Sequence, residues 1–344
     1  MEKKLRVGVI GCGWVSQNRH IPSYKLNPKC QIVAVADRRK DIANKVSTGF
    51  KIPKAYDDID LFFEKEELDL VSVCTPPWSH SEYSLKSIER GWHVITEKPM
   101  AMNIDEADKM IVMAHEKNRK LSVCHNFLFS NTVQAADLMI KNGEVGKIRN
   151  VIAIQLGSPN RRLPDWYNKL PGGLFYDESS HILYLMDHFI PDFKVISATA
   201  TLGDPNLPQQ VSQIHADVTT KEASGSMTMI FNSPLSEWQI LIIGSKKVLC
   251  LDIFRDILIT LGSDKGHTPY DVLKTSLSAI NQELKGVVHS GIGLYRGKLL
   301  FGHDKLINGF VDSIVKDREP PVTTEEGRNI VRLQHEIIKQ CRIN

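Results

Sequence analysis

Along the first third of the chain, short apolar runs alternate with longer charged segments. Leu5–Ile10, Gln31–Ala36, Leu70–Cys74, Trp92–Thr96 and Leu121–Cys124 are rich in β-branched residues and lack a helical period. Such runs predict buried strands. The pieces between them, 41–50, 58–67, 79–90 and 104–118, carry charges and helix formers. Strand alternating with helix predicts a doubly wound parallel sheet, an α/β Rossmann-type arrangement. Beyond Asn126 the pattern changes. Strand signals follow one another at Ile148–Leu156, Val195–Leu202, Ser212–Thr219, Ser226–Phe231, Trp238–Ile243, Val248–Ile253 and Ile257–Leu261. Turn signals at Asp204-Pro205-Asn206 and Asn232-Ser233-Pro234 separate some of them. With no long helix between them, they predict a large, mostly antiparallel open sheet in an α+β domain. Helical patterns return at 272–285, 298–316 and 325–341. The expectation is two domains, 1–125 and 126–344.

The first strand runs into Gly11-Cys12-Gly13, and an uncharged segment that can open a helix follows. A strand, a glycine turn and a helix start make a pyrophosphate site. One glycine permits the tight turn, the next lets backbone approach phosphate, and helix N–H groups face the anion. The third small position of this fingerprint is Ser16 rather than Gly or Ala. In a parallel sheet, ligands bind beyond the carboxyl ends of the strands. The second strand ends at Asp37, near the spacing of the acid that binds the adenosine ribose. A carboxylate there favours NAD over NADP, while the adjacent Arg38 could attract a 2′-phosphate or stack on adenine and leaves NADP open. The third strand ends in Thr75-Pro76-Pro77-Trp78-Ser79-His80, where Ser79 is placed to cap the next helix. The fourth ends in Glu97-Lys98-Pro99, which aims a cation at the cofactor crevice.

Composition narrows the partners. The 344 residues include 43 basic and 40 acidic ones, a net charge of +3, which argues against nucleic acid or an anionic membrane as the main partner. No apolar run approaches the ~18 residues of a membrane span, and the N-terminal run is better explained as a strand than as a signal peptide. Six scattered cysteines without a C-x-x-C pair suggest reduced thiols and a cytoplasmic protein. Twelve histidines form no metal-ligand pattern, and no metal is expected.

Taken together, the glycine turn, Asp37, the Thr75–His80 loop and above all Glu97-Lys98-Pro99 resemble the Gfo/Idh/MocA family of glucose–fructose oxidoreductase and inositol dehydrogenase relatives. The resemblance continues in His125-Asn126-Phe127, in Asn142–Ile148, in Gly172–His181 and in Pro320–Gly327. It implies NAD(P)-dependent hydride transfer at a sugar, nucleotide-sugar or cyclitol hydroxyl carbon. It implies cofactor contacts from Gly11, Gly13, Trp14, Val15, Asp37, Arg38, Thr75, Pro76, His80, Glu97, Lys98 and Asn126. Lys98, Asp177 and His181 are the catalytic candidates. Asp177 and His181 are four apart, so a helix puts them on one face. A histidine titrates near working pH and can remove a hydroxyl proton, while a lysine can stabilise the oxygen. Where the family often has glycine and aspartate, this chain has Ser179 and Tyr184, so the substrate does not carry over. Arg161, Arg162, Trp166 and Tyr167, in a polar and aromatic loop before that helix, are candidates for sugar recognition together with Tyr184. Tyr295, Arg296 and His303 form a weaker set, with His303 expected to be structural or at the pocket edge.

Two other functions share these residues: a redox-neutral glycoside hydrolase or lyase with transient oxidation, and a cofactor-binding regulator without catalysis. In the second domain, Gly225–Phe231 alternates and Trp238–Ile243 is apolar on both faces. A sheet with one face on helices would leave that second face exposed, which predicts a homodimer or homotetramer through it.

Overall fold

A computed structural model describes residues 3–203, 211–263, 266–295 and 299–342. The turn at Asp204–Asn206 and Arg296 lie outside the described residues. The chain divides into two compact units, residues 1–126 with 303–332, and residues 127–302 with 333–344.

The first unit holds β1 (Leu5–Ile10), β2 (Cys30–Ala36), β3 (Lys54–Tyr56), β4 (Leu70–Val73), β5 (His93–Thr96) and β6 (Leu121–Val123). Their order is β3-β2-β1-β4-β5-β6, with every pair parallel. Between them run α1 (Ile21–Leu26), α2 (Lys40–Phe50), α3 (Ile59–Lys65), α4 (His80–Glu89) and α5 (Ile104–Glu116). Strands β1 and β4 are buried almost throughout, which is why they read as unbroken apolar runs. The chain winds outward from β1 to β3 and returns to β4. The strand order therefore reverses between β1 and β4, where such sheets bind ligands.

Two local features depart from expectation. The segment after the glycine turn is a wide π-type turn, Ser16–His20, before α1 begins. Pro22 has no N–H to continue the ladder, and Ile21 donates its N–H five residues back, to the Ser16 carbonyl. Ser79 does not cap α4; its hydroxyl donates to Thr75 Oγ1 (2.8 Å) and to the Pro76 carbonyl (2.9 Å), closing the loop on itself.

The second unit contains α6 (Asn131–Lys141), β7 (Ile148–Leu156), α7 (Leu174–Phe189), β8 (Lys194–Leu202), β9 (Val211–Thr219), β10 (Ser224–Ile230), β11 (Glu237–Gly244), β12 (Lys247–Asp252), β13 (Ile257–Gly262) and α8 (Pro269–Tyr295). α9 (His303–Val315) belongs to the first unit, and α10 (Thr324–Gln340) starts there and ends in the second. The seven strands run β13-β12-β11-β7-β10-β9-β8, antiparallel except for the parallel β7–β10 pair. α7 packs on β7, β9 and β10. Val151, Ala153, Ile214, Ala216, Met227, Met229, Ile240 and Ile242 form the buried side of the sheet. Their alternating neighbours, among them Ile152, Ile154, Leu241 and Ile243, are only half-buried. No helix of the described residues is long and apolar enough to cross a membrane.

Candidate active site

The glycine turn forms as the sequence indicates. Gly11 has φ +93°, and a Cβ there would lie 2.4 Å from the Cys74 carbonyl oxygen, so the turn and the end of β4 approach as only glycine allows. Gly13 has no atom within 4 Å of where its Cβ would sit. Its bareness leaves open space where a pyrophosphate would need backbone approach, so the turn fits a dinucleotide. Ser16 is fully buried and donates its hydroxyl to the Gly13 carbonyl (2.9 Å), which ties the π turn to the glycine turn. Trp14 is 45% exposed, with the Arg19 guanidinium 4.8 Å over its ring; Val15 beside it is half-buried.

Asp37 is buried at the end of β2 and accepts the Cys12 N–H on Oδ2 (2.9 Å). Its Oδ1 accepts the backbone N–H of Arg39 (3.0 Å), and the Arg39 guanidinium reaches both oxygens (3.2 and 3.3 Å). Burial alone would push this carboxyl up. The bonds from Arg39 and Cys12 outweigh it and hold Asp37 below the usual carboxylate range. The cation paired with Asp37 is Arg39, a pairing not read from the sequence; Arg38 is exposed. The signal was the short reach from i to i+2.

At the ends of β4 and β5, His80 joins two loops. It is fully buried, with Nδ1 2.7 Å from the Pro99 carbonyl oxygen and Nε2 2.8 Å from that of Thr75. The Thr75–Pro76 turn and the Lys98–Pro99 segment are thus fastened to one ring. Lys98 itself is half-buried, and Asn126 is buried.

Beneath Lys98 lies a cluster that sequence reasoning did not find. Glu97 Oε1 is 2.9 Å from Nε2 of His20, and Glu97 Oε2 accepts the Lys98 backbone N–H (3.2 Å). His20 is fully buried, and its Nδ1 is 3.1 Å from the hydroxyl of Ser72, which in turn is 2.8 Å from that of Tyr24. His303 Nε2 lies 3.9 Å from Glu97 Oε1, and Cys124 Sγ 3.9 Å from His20 Nε2. The donor atoms of His20, Glu97, Cys124 and His303 all fall within 4.8 Å of one another. Two ligands of one tetrahedral zinc stand about 3.3–3.7 Å apart. The 2.9 Å His20–Glu97 separation is instead that of a shared proton. Burial would raise the Glu97 carboxyl, but the His20 bond and the charges of His20, His303 and Lys98 overcome it and keep Glu97 ionised. Burial beside Glu97 drives the Cys124 thiol well up, so that it stays protonated.

These buried groups make stability depend on pH. Burial pushes His125 down to about 3 and His93 to about 4, against a reference of 6.5. Between pH 6.5 and those values the unfolded chain binds more protons than the folded one, so stability falls as pH falls. Glu97, depressed below its usual range, adds a loss in the same direction below about pH 4.5. His125 alone corresponds to about 5 kcal/mol once the pH has fallen through 3. Denaturant midpoints measured from pH 7.5 to pH 4 are expected to fall steadily; a flat profile would contradict the buried neutral histidines.

In the second unit, α7 presents Asp177 and His181, both half-exposed, one turn apart. Nδ1 of His181 is 2.9 Å from the Tyr184 hydroxyl, which accepts the Phe127 N–H (3.1 Å). The rings of Phe127 (5.0 Å), Trp238 (5.2 Å) and Tyr184 (5.6 Å) pack around the imidazole. Tyr184 is buried and fixes the ring from its Nδ1 side. The contact between Nδ1 and the Tyr184 hydroxyl holds the imidazole in one orientation on α7. α7 is held by Gln334, whose amide donates to the Tyr176 carbonyl (2.8 Å) and to the hydroxyl of Ser179 (2.9 Å). In the preceding loop, Arg161 pairs with Glu178 (2.6 Å) and also donates to the Ser158 carbonyl, tying the loop to α7. Arg162 is exposed, and Trp166 and Tyr167 are half-buried.

A parallel nucleotide-type sheet with a glycine turn, an ionised acid at the end of β2 and a lysine at the end of β5, joined to an open-sheet unit bearing an Asp–His pair, defines a dinucleotide-dependent oxidoreductase. Residues 5–125 match the model of an oxidoreductase family with an NAD-binding Rossmann fold, and residues 133–250 match the GFO/IDH/MocA C-terminal domain; the chain belongs to the Gfo/Idh/MocA family. Myo-inositol 2-dehydrogenase of Thermotoga maritima is 26% identical over 270 residues, 76% of this chain and 79% of that protein. dTDP-3,4-didehydro-2,6-dideoxy-alpha-D-glucose 3-reductase of Saccharopolyspora spinosa is 28% identical over 194 residues, 55% of this chain and 57% of that protein, less than two thirds of its length. The WlbA dehydrogenase of Bordetella pertussis, solved with NADH and UDP-GlcNAcA, shares the fold with a TM-score of 0.79 at 19% identity, covering 99% of this chain and 97% of that one.

Proposed function

We propose that this oxidoreductase moves a hydride between NAD and a secondary hydroxyl carbon of a sugar, nucleotide sugar or cyclitol, with Lys98, Asp177 and His181 as the catalytic residues. The observation that carries the reading is the His181 imidazole, oriented by Tyr184 on a helix that also carries Asp177. Gly11, Gly13, Trp14, Val15, Asp37, Arg38, Thr75, Pro76, His80, Glu97, Lys98 and Asn126 would hold the dinucleotide. Bound NAD supplies the hydride acceptor. His181 takes the hydroxyl proton on its imidazole and returns it in the reverse direction. Lys98 places positive charge on the oxygen as it becomes alkoxide-like. Asp177 stabilises the imidazolium or receives a neighbouring hydroxyl. Trp166 and Tyr167 offer aromatic faces, and Arg162 a guanidinium, to the sugar. The ionised Asp37 disfavours a 2′-phosphate, so NAD is preferred to NADP.

An activity panel of free sugars, nucleotide sugars and inositols with NAD and with NADP tests this. NADH formation with one substrate class, and a higher kcat/KM with NAD, is expected. Turnover without net NADH would replace it by the redox-neutral hydrolase or lyase, and binding without turnover by the regulator. Tyr184→Phe removes the hydroxyl that orients His181 while keeping the ring. It is expected to lower kcat about tenfold with the KM for NAD unchanged, measured by steady-state kinetics; an unaltered kcat would separate Tyr184 from the chemistry.

The half-buried outer side of the sheet, with Ile152, Ile154, Leu241 and Ile243, supports a homo-oligomer through the second unit. Four buried thiols among six free cysteines fit the cytoplasm. Light scattering at working concentration tests the association; a monomer overturns it.

A further inference from the structure

Helix α8 (Pro269–Tyr295) carries an apolar stripe that its own unit does not cover. Tyr270, Leu273, Leu277, Ile280, Leu284 and Val287 follow one another at intervals of three and four residues. They are 73, 56, 57, 56, 62 and 49% exposed. That spacing is the a/d seam of a coiled coil. The opposite side of the helix is the one held by the sheet. Gln282 accepts the Thr260 N–H (2.8 Å) and donates to the Thr260 carbonyl (3.1 Å), and a Cβ at Gly286 would strike Ile257. Gln282 thus occupies backbone groups on the free edge of β13. It blocks extension of the sheet there while α8 turns its seam outward.

We propose that α8 pairs with α8 of a second copy of this chain, in a contact separate from the outer side of the sheet. A 3-4-3-4 repeat is what an identical helix can interdigitate with by knobs into holes, and a two-fold axis needs no second kind of surface. The stripe itself carries no charge, and Lys274, Glu283 and Lys285 lie beside it. Six side chains at roughly 100 Å² each give about 600 Å² per copy and about 1,200 Å² per pair, the lower end of specific interfaces. That clears the roughly 1,000 Å² that a specific interface needs. Two two-fold contacts, one through α8 and one through the sheet, close into a tetramer where their axes cross at right angles.

The test uses the full chain, sized by light scattering over a range of concentrations, with circular dichroism as the folding control. Leu277→Glu together with Leu284→Glu is expected to halve the assembly while leaving the unfolding midpoint within a few degrees. Should that pair disturb folding, Leu277→Ser serves, read as a shift of the association midpoint by tenfold or more. Ile154→Glu on the sheet tests the other contact alone. An assembly halved by the α8 variants but not by Ile154→Glu keeps the α8 pair and removes the sheet interface. An assembly insensitive to the α8 variants overturns this proposal, whatever Ile154→Glu does. A Leu284→Cys variant that forms no disulfide-linked dimer under oxidation, alone or mixed with Leu273→Cys or Leu277→Cys, would overturn it as well. The mixtures cover both parallel and antiparallel pairing.

Discussion

Lys98→Ala is expected to lower kcat about a thousandfold with the best substrate of the panel, while the KM for NAD moves less than about threefold. Lys98 follows Glu97 directly beyond β5, at the carboxyl end of the parallel sheet, and its backbone N–H is fixed by the Glu97 carboxylate. Residues at that end meet the reacting half of a dinucleotide. An ammonium there is needed most when the hydroxyl oxygen acquires charge, and little before, so its removal acts on the transition state rather than on binding. Losing one preorganised electrostatic donor costs about 10²–10³ in kcat, and losing a proton-transfer partner about 10²–10⁴. A thousandfold loss is about 4 kcal/mol. Lys98→Arg restores the charge but not the compact ammonium, so it is expected to recover less than a tenth of the activity. Steady-state kinetics give kcat, and NADH fluorescence titration gives cofactor affinity. A kcat within tenfold of the unaltered protein would remove Lys98 from the chemistry.

The parts of this protein that are local in sequence were legible. The apolar run of β1, the glycine turn, Asp37 and the four-residue Asp177–His181 spacing each need only neighbours to be recognised. So was the antiparallel unit, because alternation survives wherever one side of a strand is buried and the other is not. What escaped depends on contacts between distant segments. His20 and Glu97 are 77 residues apart and meet only because the turn after β1 lies against the end of β5. His303 reaches the same carboxylate from α9, and its burial agrees with the structural place expected for it, while its partner was not legible. Arg161, a candidate for sugar recognition, is paired with Glu178, a contact that only the closure of the loop on α7 reveals. The helical signal at 272–285 also stopped short of the real end of α8 at Tyr295. Gly286, Gly291 and Gly293 dilute the periodicity there, and glycine lowers intrinsic helix propensity, yet the helix continues. Gly286 is the close approach to Ile257, so one residue both weakens the sequence signal and permits the packing.

Gly11→Ala is expected to be the most damaging single methyl in the first unit. Two effects act together. The backbone at Gly11 has φ +93°, a conformation that a Cβ makes costly by about 1–2 kcal/mol in the left-handed region. The added carbon would also lie 2.4 Å from the Cys74 carbonyl oxygen and 2.7 Å from its carbonyl carbon. That neighbour is backbone at the end of β4, which pairs with β1 through four residues and cannot retreat without disturbing the ladder. The strain is therefore relieved by moving the turn. The turn cannot move alone, because Gly11 donates its N–H to the Ala36 carbonyl (2.8 Å) and Cys12 donates to Asp37. Shifting it loosens the contact that holds the Asp37 carboxylate as well as the backbone of the turn. The expected outcome is a loss of about 3–5 kcal/mol in denaturant unfolding. In whatever fraction remains folded, NADH affinity should fall at least a hundredfold. Gly13→Ala is the internal comparison. Its Cβ enters open space, so stability should change little while NADH binding weakens. If both variants lost stability equally, the close approach of Gly11 to β4 would not be the cause. If both bound NADH as the unaltered protein does, the glycine turn would not be the phosphate site.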